Sequence, residues 1–230
     1  DAKRSLLEHA QHQASRLALV LAQVPALAEG IGDLMLAEPE QSQELLYAHL
    51  IDGLRRTPVA RTVAVIYDTP YRGALMQRGA PAAQALPAPE GERRRLIPGW
   101  HLDGGNLRFN RPIYRHGSRV GGAWVEVAIA DLYAELERQR SASLTLFIGR
   151  RDGTLLPPIG TTPEVQALAT LMPRDATADI VQSVGDDTQS GSRYWVANVE
   201  MPGLPWRITA ATRSQAALEP VRREASLLAA

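Results

Sequence analysis

His101 and Asp103, one residue apart, are the pair in this sequence best placed to share a metal ion. A metal centre needs at least a third ligand at workable spacing, and none stands near them. Asp103 is explained as well by the turn Asp103-Gly104-Gly105-Asn106, whose residue types reverse a chain. The five histidines, His9, His12, His49, His101 and His116, fall on predicted helices or turns and form no cluster. There is no cysteine, which excludes disulfides, thiolate nucleophiles and Cys-ligated metals. Ser141 and Ser143 lie beside a predicted helix without the sharp strand-to-helix turn of an activated serine. Gly104-Gly105 precedes no helix carrying a lysine, so it is not a phosphate loop. The sequence therefore predicts no catalytic constellation, no metal and no cofactor. A hydrolase on an α+β scaffold is disfavoured for the same reason.

Composition narrows the classes further. The chain has 230 residues, enough for one large or two small domains, and 45% hydrophobic residues supply a core. Lys+Arg and Asp+Glu balance at 25 each, so no net charge draws the protein to nucleic acid or to an anionic membrane. No apolar run reaches the roughly 20 residues of a membrane span, and Asp1 opens no signal peptide. Both ends read as helical, and the sequence looks like a fragment cut from a longer protein.

The elements follow from periodicity. Leu7, Ala10, Ala14, Leu17, Leu21, Val24 and Ala28 recur at spacings of three and four, which predicts a helix over 1–28. Leu6, Val20 and Leu27 widen its apolar face, which can serve a sheet, a second copy of the chain, or both. Pro25 predicts a kink or break near Val24, and Gly30 and Gly32 loosen the segment further. A second helix is predicted to begin at Pro39-Glu40-Gln41-Ser42 and to end before Thr57-Pro58, with Leu45, Leu46, His49, Leu50 and Leu54 on one side. Arg61 to Asp68 is a strand, Thr69 to Gly73 a turn, and Ala74 to Met76 a short return. Gly79 to Gly91 is a Pro-rich loop, and Glu90 to Arg95 a solvated charge run. Leu144 to Gly149 is an apolar strand ending in the turn Arg151-Asp152-Gly153-Thr154. Thr162 opens a helix, Ala178 to Val184 is a strand, and Tyr194 to Glu200 with Trp206 to Ala211 form a closing pair. Ser214 caps a last helix.

Leu107 to Leu132 reads as a hairpin followed by a helix start. His116-Gly117-Ser118 supplies the turn, and Val120, Ala123, Val125 and Val127 are candidate core residues. The run Pro112-Ile113-Tyr114, Gly117, Val120-Gly121, Glu126, Asp131-Leu132 resembles the closing hairpin of a Cache domain, a PAS-like extracytoplasmic sensor module of bacterial transmembrane receptors. The chain also repeats itself at domain scale. VAVIYD-TPYRG-ALM answers to LTLFIGR-RDG-TLL, and RFNRPIY-RHG-VGGAWVEV answers to YWVANVE-MPGL-PWRITAA. A long helix followed by two such modules resembles the double Cache ectodomain, and the likeness covers almost the whole chain. The implied fold is α+β, with a long N-terminal helix and two PAS-like modules built on antiparallel sheets. The implied divisions are a helical stalk at 1–56, a membrane-distal module at 57–140, a membrane-proximal module at 141–213 and a helix toward the membrane at 214–230.

The resemblance also implies a ligand, held in the distal module between the sheet and the loops that cover it. A carboxylate needs a cation or backbone amides, an ammonium needs an acid, and both need walls that exclude water. The expected contacts are Tyr67, Arg72, Trp100, His101, Arg111, Tyr114 and Glu126, with Tyr71 and Asn110 nearby. Tyr67 and Trp100 would be the walls, and Arg72 or Arg111 with Glu126 the polar contacts. Tyr67 ends the first strand and Glu126 the last, and these strands meet at the centre of PAS-like sheets. Each residue also has a plain structural reading: Tyr67 and Tyr114 as ordinary strand residues, Trp100 as core, Arg72 and Arg111 as solvated cations. Alternation puts Glu126 on the face opposite Val125 and Val127. Glu126 stands where amine-binding Cache domains carry an aspartate, whereas the cluster of the amino-acid-binding subgroup is matched only at Trp100.

The implied function is the periplasmic sensing portion of an inner-membrane receptor, a histidine kinase first and a diguanylate cyclase or chemoreceptor next. The fragment itself would not be an enzyme. Its expected partners are a small carboxylate or amine and a second copy along the N-terminal helix. An ectodomain that binds protein and no small ligand is the competing class.

Overall fold

The computed structural model describes residues 2–38, 40, 42–87, 96–138, 144–156, 181–185 and 193–213. The chain divides into two compact units, Leu19–Leu132 and Asp1–Ala18 with Tyr133–Ala230. Helix α1 (Ala2–Leu21) opens the chain, and α2 (Gln23–Ala37) follows after a single turn residue. Pro25 has no N–H to give the Leu21 carbonyl, so the break falls at Ala22, slightly ahead of the position expected. The helix then continues through Gly30 and Gly32 rather than loosening. A Cβ on Gly32 would lie 3.3 Å from Ile113 Cγ1, so glycine here lets the helix sit close on the sheet.

In the first unit α2 and α3 (Gln43–Arg56) pack on a six-stranded antiparallel sheet. Ser42 caps α3 by accepting a hydrogen bond from the Leu45 amide. Leu46, Leu50 and Leu54 are its buried face, whereas Leu45 is 40% exposed. The strands are β1 (Thr62–Asp68), β2 (Tyr71–Gln77), β3 (Gln84–Ala85), β4 (Gly99–Asp103), β5 (Asn106–Arg115) and β6 (Ser118–Ala128). Their order is β3-β2-β1-β6-β5-β4. Tyr71, Arg72 and Gly73 belong to β2 and not to the preceding turn, because their backbones pair with Asp68, Tyr67 and Ile66. The β5–β6 turn is two residues, His116 (φ 51°) and Gly117 (φ 80°), and Ser118 already pairs with Arg115. Both turn residues need the left-handed region, which Gly117 adopts without a Cβ penalty.

The second unit has a five-stranded antiparallel sheet in the order β8-β7-β11-β10-β9. Its strands are β7 (Leu144–Arg150), β8 (Leu155–Leu156), β9 (Val181–Gly185), β10 (Arg193–Glu200) and β11 (Trp206–Arg213). Residues 2–18 of α1 belong to this unit, where Lys3 Nζ lies 5.3 Å from the Trp195 ring centre. Helix α4 (Ile129–Glu137) carries Tyr133 and Glu135, and Glu135 pairs with Arg16. The Tyr133 hydroxyl donates to the Leu156 carbonyl at 2.6 Å and accepts from the Ile148 amide at 3.0 Å. Burial pushes its pKa up, since a buried phenolate has no water to solvate it. The helices expected from Thr162 and Ser214, and the charge run at Glu90, lie outside the described residues.

The apolar stripe of the N-terminal helix is core. Ala10, Ala14, Leu17, Leu21, Val24 and Ala28 are buried within the chain, while Leu19 is 72% exposed. Of the expected dimer seam of Leu7, Leu17, Leu21 and Val24, the last three are buried in their own protein and Leu7 is half-buried. By length and composition Lys3–Ala37 is apolar enough to cross a membrane, contrary to the sequence reading. Leu17→Ala should cost about 2–5 kcal/mol and Leu19→Ala within about 0.5 kcal/mol, read from urea unfolding of each variant. Equal costs would mean that the stripe faces solvent.

Candidate ligand site on the first sheet

The first sheet has two distinct faces, set by register. Directly paired residues of an antiparallel sheet share a face, and successive residues alternate. One face carries Val63, Val65, Tyr67, Arg72, Phe109, Arg111, Ile113, Gly121, Ala123, Val125 and Trp100. This is the face α2 covers: Met35 Cε lies 2.8 Å from where a Gly121 Cβ would stand. The opposite face carries Ile66, Gly73, Gly122, Trp124, Asn110, Arg108, Glu126 and His101. Here the segment between β3 and β4 comes down at both ends. A Cβ on Gly73 would lie 2.9 Å from Leu86 Cβ, and one on Gly122 would collide with Leu96 Cδ1 at 2.2 Å. The Tyr71 hydroxyl ties that segment to the sheet, donating to the Pro87 carbonyl at 2.7 Å. Burial first, and the nearby Asp68 carboxylate second, raise the Tyr71 pKa, which keeps this donor protonated.

The residues expected to form one pocket are thus divided. Tyr67 is buried on the helix face, with the Arg72 guanidinium 4.5 Å above its ring. Arg111 lies on the same face, 3.8 Å from Glu29 of α2. Trp100 packs edge-on against Phe109 at 5.4 Å, also on that side. Tyr114 follows a β-bulge between Ile113 and Tyr114 and is 57% exposed. Glu126 and His101 are on the other face. The expected meeting of Tyr67 with Glu126 fails because β1 and β6 are antiparallel: Tyr67 pairs with Gly121, and Glu126 pairs with Thr62 at the far end.

What Glu126 does meet is Arg108, directly across from it on β5. Arg108 donates to Glu126 Oε1 from Nε at 2.8 Å and from Nη2 at 2.5 Å, and its Nη2 also lies 2.7 Å from Asp103 Oδ2. The guanidinium stands 5.8 Å from the Trp124 ring centre. One strand position along, paired with Trp124, is Asn110, which is 8% exposed. Its Oδ1 is buried and has no hydrogen-bond partner among the described residues. A buried carbonyl of this kind costs free energy until a donor reaches it. His101, paired with Arg108, hydrogen-bonds the Ile97 carbonyl through Nε2 at 2.7 Å and holds the end of the crossing segment.

The arrangement combines two carboxylates, one guanidinium, an open amide acceptor and an indole wall. It suits a small molecule that brings an N–H donor, preferably charged, and it can pair a carboxylate through Arg108. Among the described residues no group of three or more His, Asp and Glu could hold a metal ion. Arg108, Asp103 and Trp124 are contacts the sequence reading missed. Each lies on the Glu126 face or in the adjoining turn, which only the observed pairing reveals.

No protein-family model matches this sequence, and no curated protein does. Solved structures do. The extracellular domain soHK1S-Z6, described as that of a histidine kinase, is 19% identical, covering 94% of this chain and 95% of its own, with a TM-score of 0.68. The ligand-binding domain of the Pseudomonas aeruginosa amino acid chemoreceptor PctB, bound to L-Arg, is 16% identical over 95% and 98%, with a TM-score of 0.67. That of the PctC chemoreceptor from the same organism, bound to GABA, is 18% identical over 92% and 100%, with a TM-score of 0.63.

A double-mutant cycle tests the site's central pair. Arg108→Ala and Glu126→Gln should each lower stability, with a coupling of about 1 kcal/mol, because both side chains are partly screened by solvent. Zero coupling in chemical denaturation would mean that the pair carries no energy. The chain has the α+β fold of the Cache-type sensor domains of histidine kinases and chemoreceptors.

Proposed function

We propose that this chain is the extracytoplasmic, periplasmic-side sensing portion of an inner-membrane receptor of the histidine kinase type. In this reading it is not an enzyme, and it binds a small amine-bearing molecule on the loop-covered face of the first sheet. The module at about 57–140 is the membrane-distal one, 141–213 the proximal one, and 214–230 leads toward the membrane. The observation that carries the ligand reading is the buried Asn110 Oδ1, without a hydrogen-bond partner among the described residues, beside the Arg108–Glu126–Asp103 cluster. An ammonium group satisfies both needs, with Asn110 Oδ1 and Glu126 as acceptors, while Arg108 receives any carboxylate. GABA and L-Arg, which the chemoreceptor domains bind, each combine an amine and a carboxylate. His101 stands at the rim of this site. Tyr67, Arg72, Trp100, Arg111 and Tyr114 act from the helix face or the hairpin tip and shape the sheet beneath the ligand.

The same fold serves chemoreceptors, so a chemoreceptor output is the second reading. A homodimer would use surface other than the buried stripe, with Leu19 at its exposed side. Ligand control requires different affinities for two conformations, since equal affinity shifts nothing.

A thermal-shift panel of GABA, L-arginine, L-norvaline and simple amines should give at least one saturable stabilisation. Calorimetry on that hit should show a loss of about 1–3 kcal/mol for Glu126→Gln and for Asn110→Leu, and no loss for Tyr67→Phe. A panel without a hit supports a protein-binding ectodomain. A hit whose affinity is the same in both variants moves the ligand off this face.

A further inference from the structure

On the loop-covered face of the first sheet the chain binds a cation of its own. Arg108 Nη2 lies 2.5 Å from Glu126 Oε1 and 2.7 Å from Asp103 Oδ2, and its Nε reaches the same Glu126 oxygen at 2.8 Å. The Trp124 ring centre is 5.8 Å from the guanidinium carbon. Two acids and an indole around one positive group make a cation seat. Two carboxylates face one guanidinium, so the seat keeps a negative charge in excess even when Arg108 fills it. Glu126 is the more enclosed acid, with 14% of its side chain exposed against 53% for Asp103. Asn110 lies two residues along β5 from Arg108 on the same face, diagonal to Glu126 across the ladder. It is 8% exposed, and its Oδ1 has no hydrogen-bond partner among the described residues. Diagonal neighbours, about 7–8 Å apart, can share one small group between their side chains. An ammonium on Asn110 Oδ1 and Glu126 then shares an enclosed carboxylate with the guanidinium, and two cations that close repel.

We propose that Arg108 is the specificity-determining residue of this site: it occupies the seat as an internal competitor, turning away simple amines and admitting amines that carry a carboxylate. The inference rests on the amine-site reading of the first sheet. A simple amine must loosen the bonds from Arg108 to Glu126 and leaves the guanidinium to Asp103, the exposed acid. An amine with its own carboxylate loosens the same bonds and gives Arg108 a new partner, which a planar guanidinium can hold through two parallel hydrogen bonds. An ion pair that only straps β5 to β6 would hold the strands without discriminating between the two ligands.

GABA and propylamine are the probes, because they differ only by the carboxylate. Each is titrated by calorimetry into the whole chain at constant ionic strength. The wild type should bind GABA about tenfold or more tighter than propylamine. Arg108→Met, which keeps an unbranched side chain opposite Glu126, should tighten propylamine about three- to fivefold, the contribution of one partly exposed ion pair. It should weaken GABA, so that the preference disappears. Asp103→Asn removes the acid to which Arg108 retreats and should widen the preference for GABA, which decides the matter if Arg108→Met does not fold. Arg56→Met, which removes an exposed cation of α3, should leave both affinities unchanged. Propylamine bound no more tightly by Arg108→Met than by the wild type overturns the inference. So does an Asp103→Asn preference equal to that of the wild type, or a gain in Arg56→Met equal to that in Arg108→Met. Glu126→Gln tells this failure from that of the underlying reading: if it leaves both affinities unchanged, or if neither probe binds, the amine site falls and the inference with it.

Discussion

The backbone ladder that holds β6 between β1 and β5 is the constraint on which the candidate site depends. β6 pairs with β1 from Gly121 to Glu126 and with β5 over nearly its whole length. Its two adjacent glycines sit at the middle of that ladder and serve opposite faces. A Cβ on Gly121 would stand 2.1 Å from the Ile66 carbonyl and 2.8 Å from Met35 Cε, so glycine keeps the ladder and α2 close. Gly122 gives the same closeness to Leu96 on the other side. Because interiors are packed to the density of organic crystals, a methyl at either place has nowhere to go. With β6 fixed, the two faces receive separate residue sets. One set packs on helices and the other meets the crossing segment.

Much of this was legible in the sequence. Alternation of Val125, Glu126 and Val127 already put Glu126 away from the core, and the Gly-rich turns marked both hairpins. The strand pairing was harder to read. Counting back from the His116-Gly117 turn places Leu107, not Arg108, opposite Glu126. The bulge between Ile113 and Tyr114 shifts the ladder by one residue and brings Arg108 into line. A one-residue shift exchanges the faces of a strand, and nothing in the residue types near Pro112 announces it. Tyr71 to Gly73 had turn composition yet became strand, because ladder bonds to Asp68, Tyr67 and Ile66 outweigh local preference. The heptad-like stripe fixed which side of the N-terminal helix is apolar. It left open whether a sheet or a second chain would cover that side, since both look alike to a helix.

The two sheets share a plan at the level of single residues. In each, a buried asparagine sits on the strand next to the outer one, β5 beside β4 and β10 beside β9, on the face away from the helix. In each, an arginine lies two positions from it or from its cross-strand partner. The modules then diverge by which end of the amide is left open. Asn110 offers an oxygen and has Glu126 and Asp103 nearby. Asn198 has its oxygen engaged by Thr209, and its Nδ2 has no hydrogen-bond partner among the described residues. One repeated backbone position is thus set to opposite polarity by its neighbours, without change of residue type.

In the proposed reading the Arg108 cluster keeps the first sheet stable whether or not a ligand is bound. Two carboxylates and one guanidinium within hydrogen-bonding distance satisfy one another, so the charges need no ligand to be tolerated beside Trp124. Asn110 Oδ1 has no hydrogen-bond partner among the described residues, and in the proposed reading a ligand donor supplies one. An entering ammonium that reaches Glu126 competes with Arg108 for the same carboxylate oxygen, and its own carboxylate supplies Arg108 with a replacement. Such an exchange would conserve charge. In the proposed reading a zwitterion would displace one side chain, whereas a simple amine would leave Arg108 to Asp103 alone. That difference is the physical basis on which such a site can distinguish amino acids from amines. It resides in one salt bridge, whose geometry the bulge at Ile113 sets.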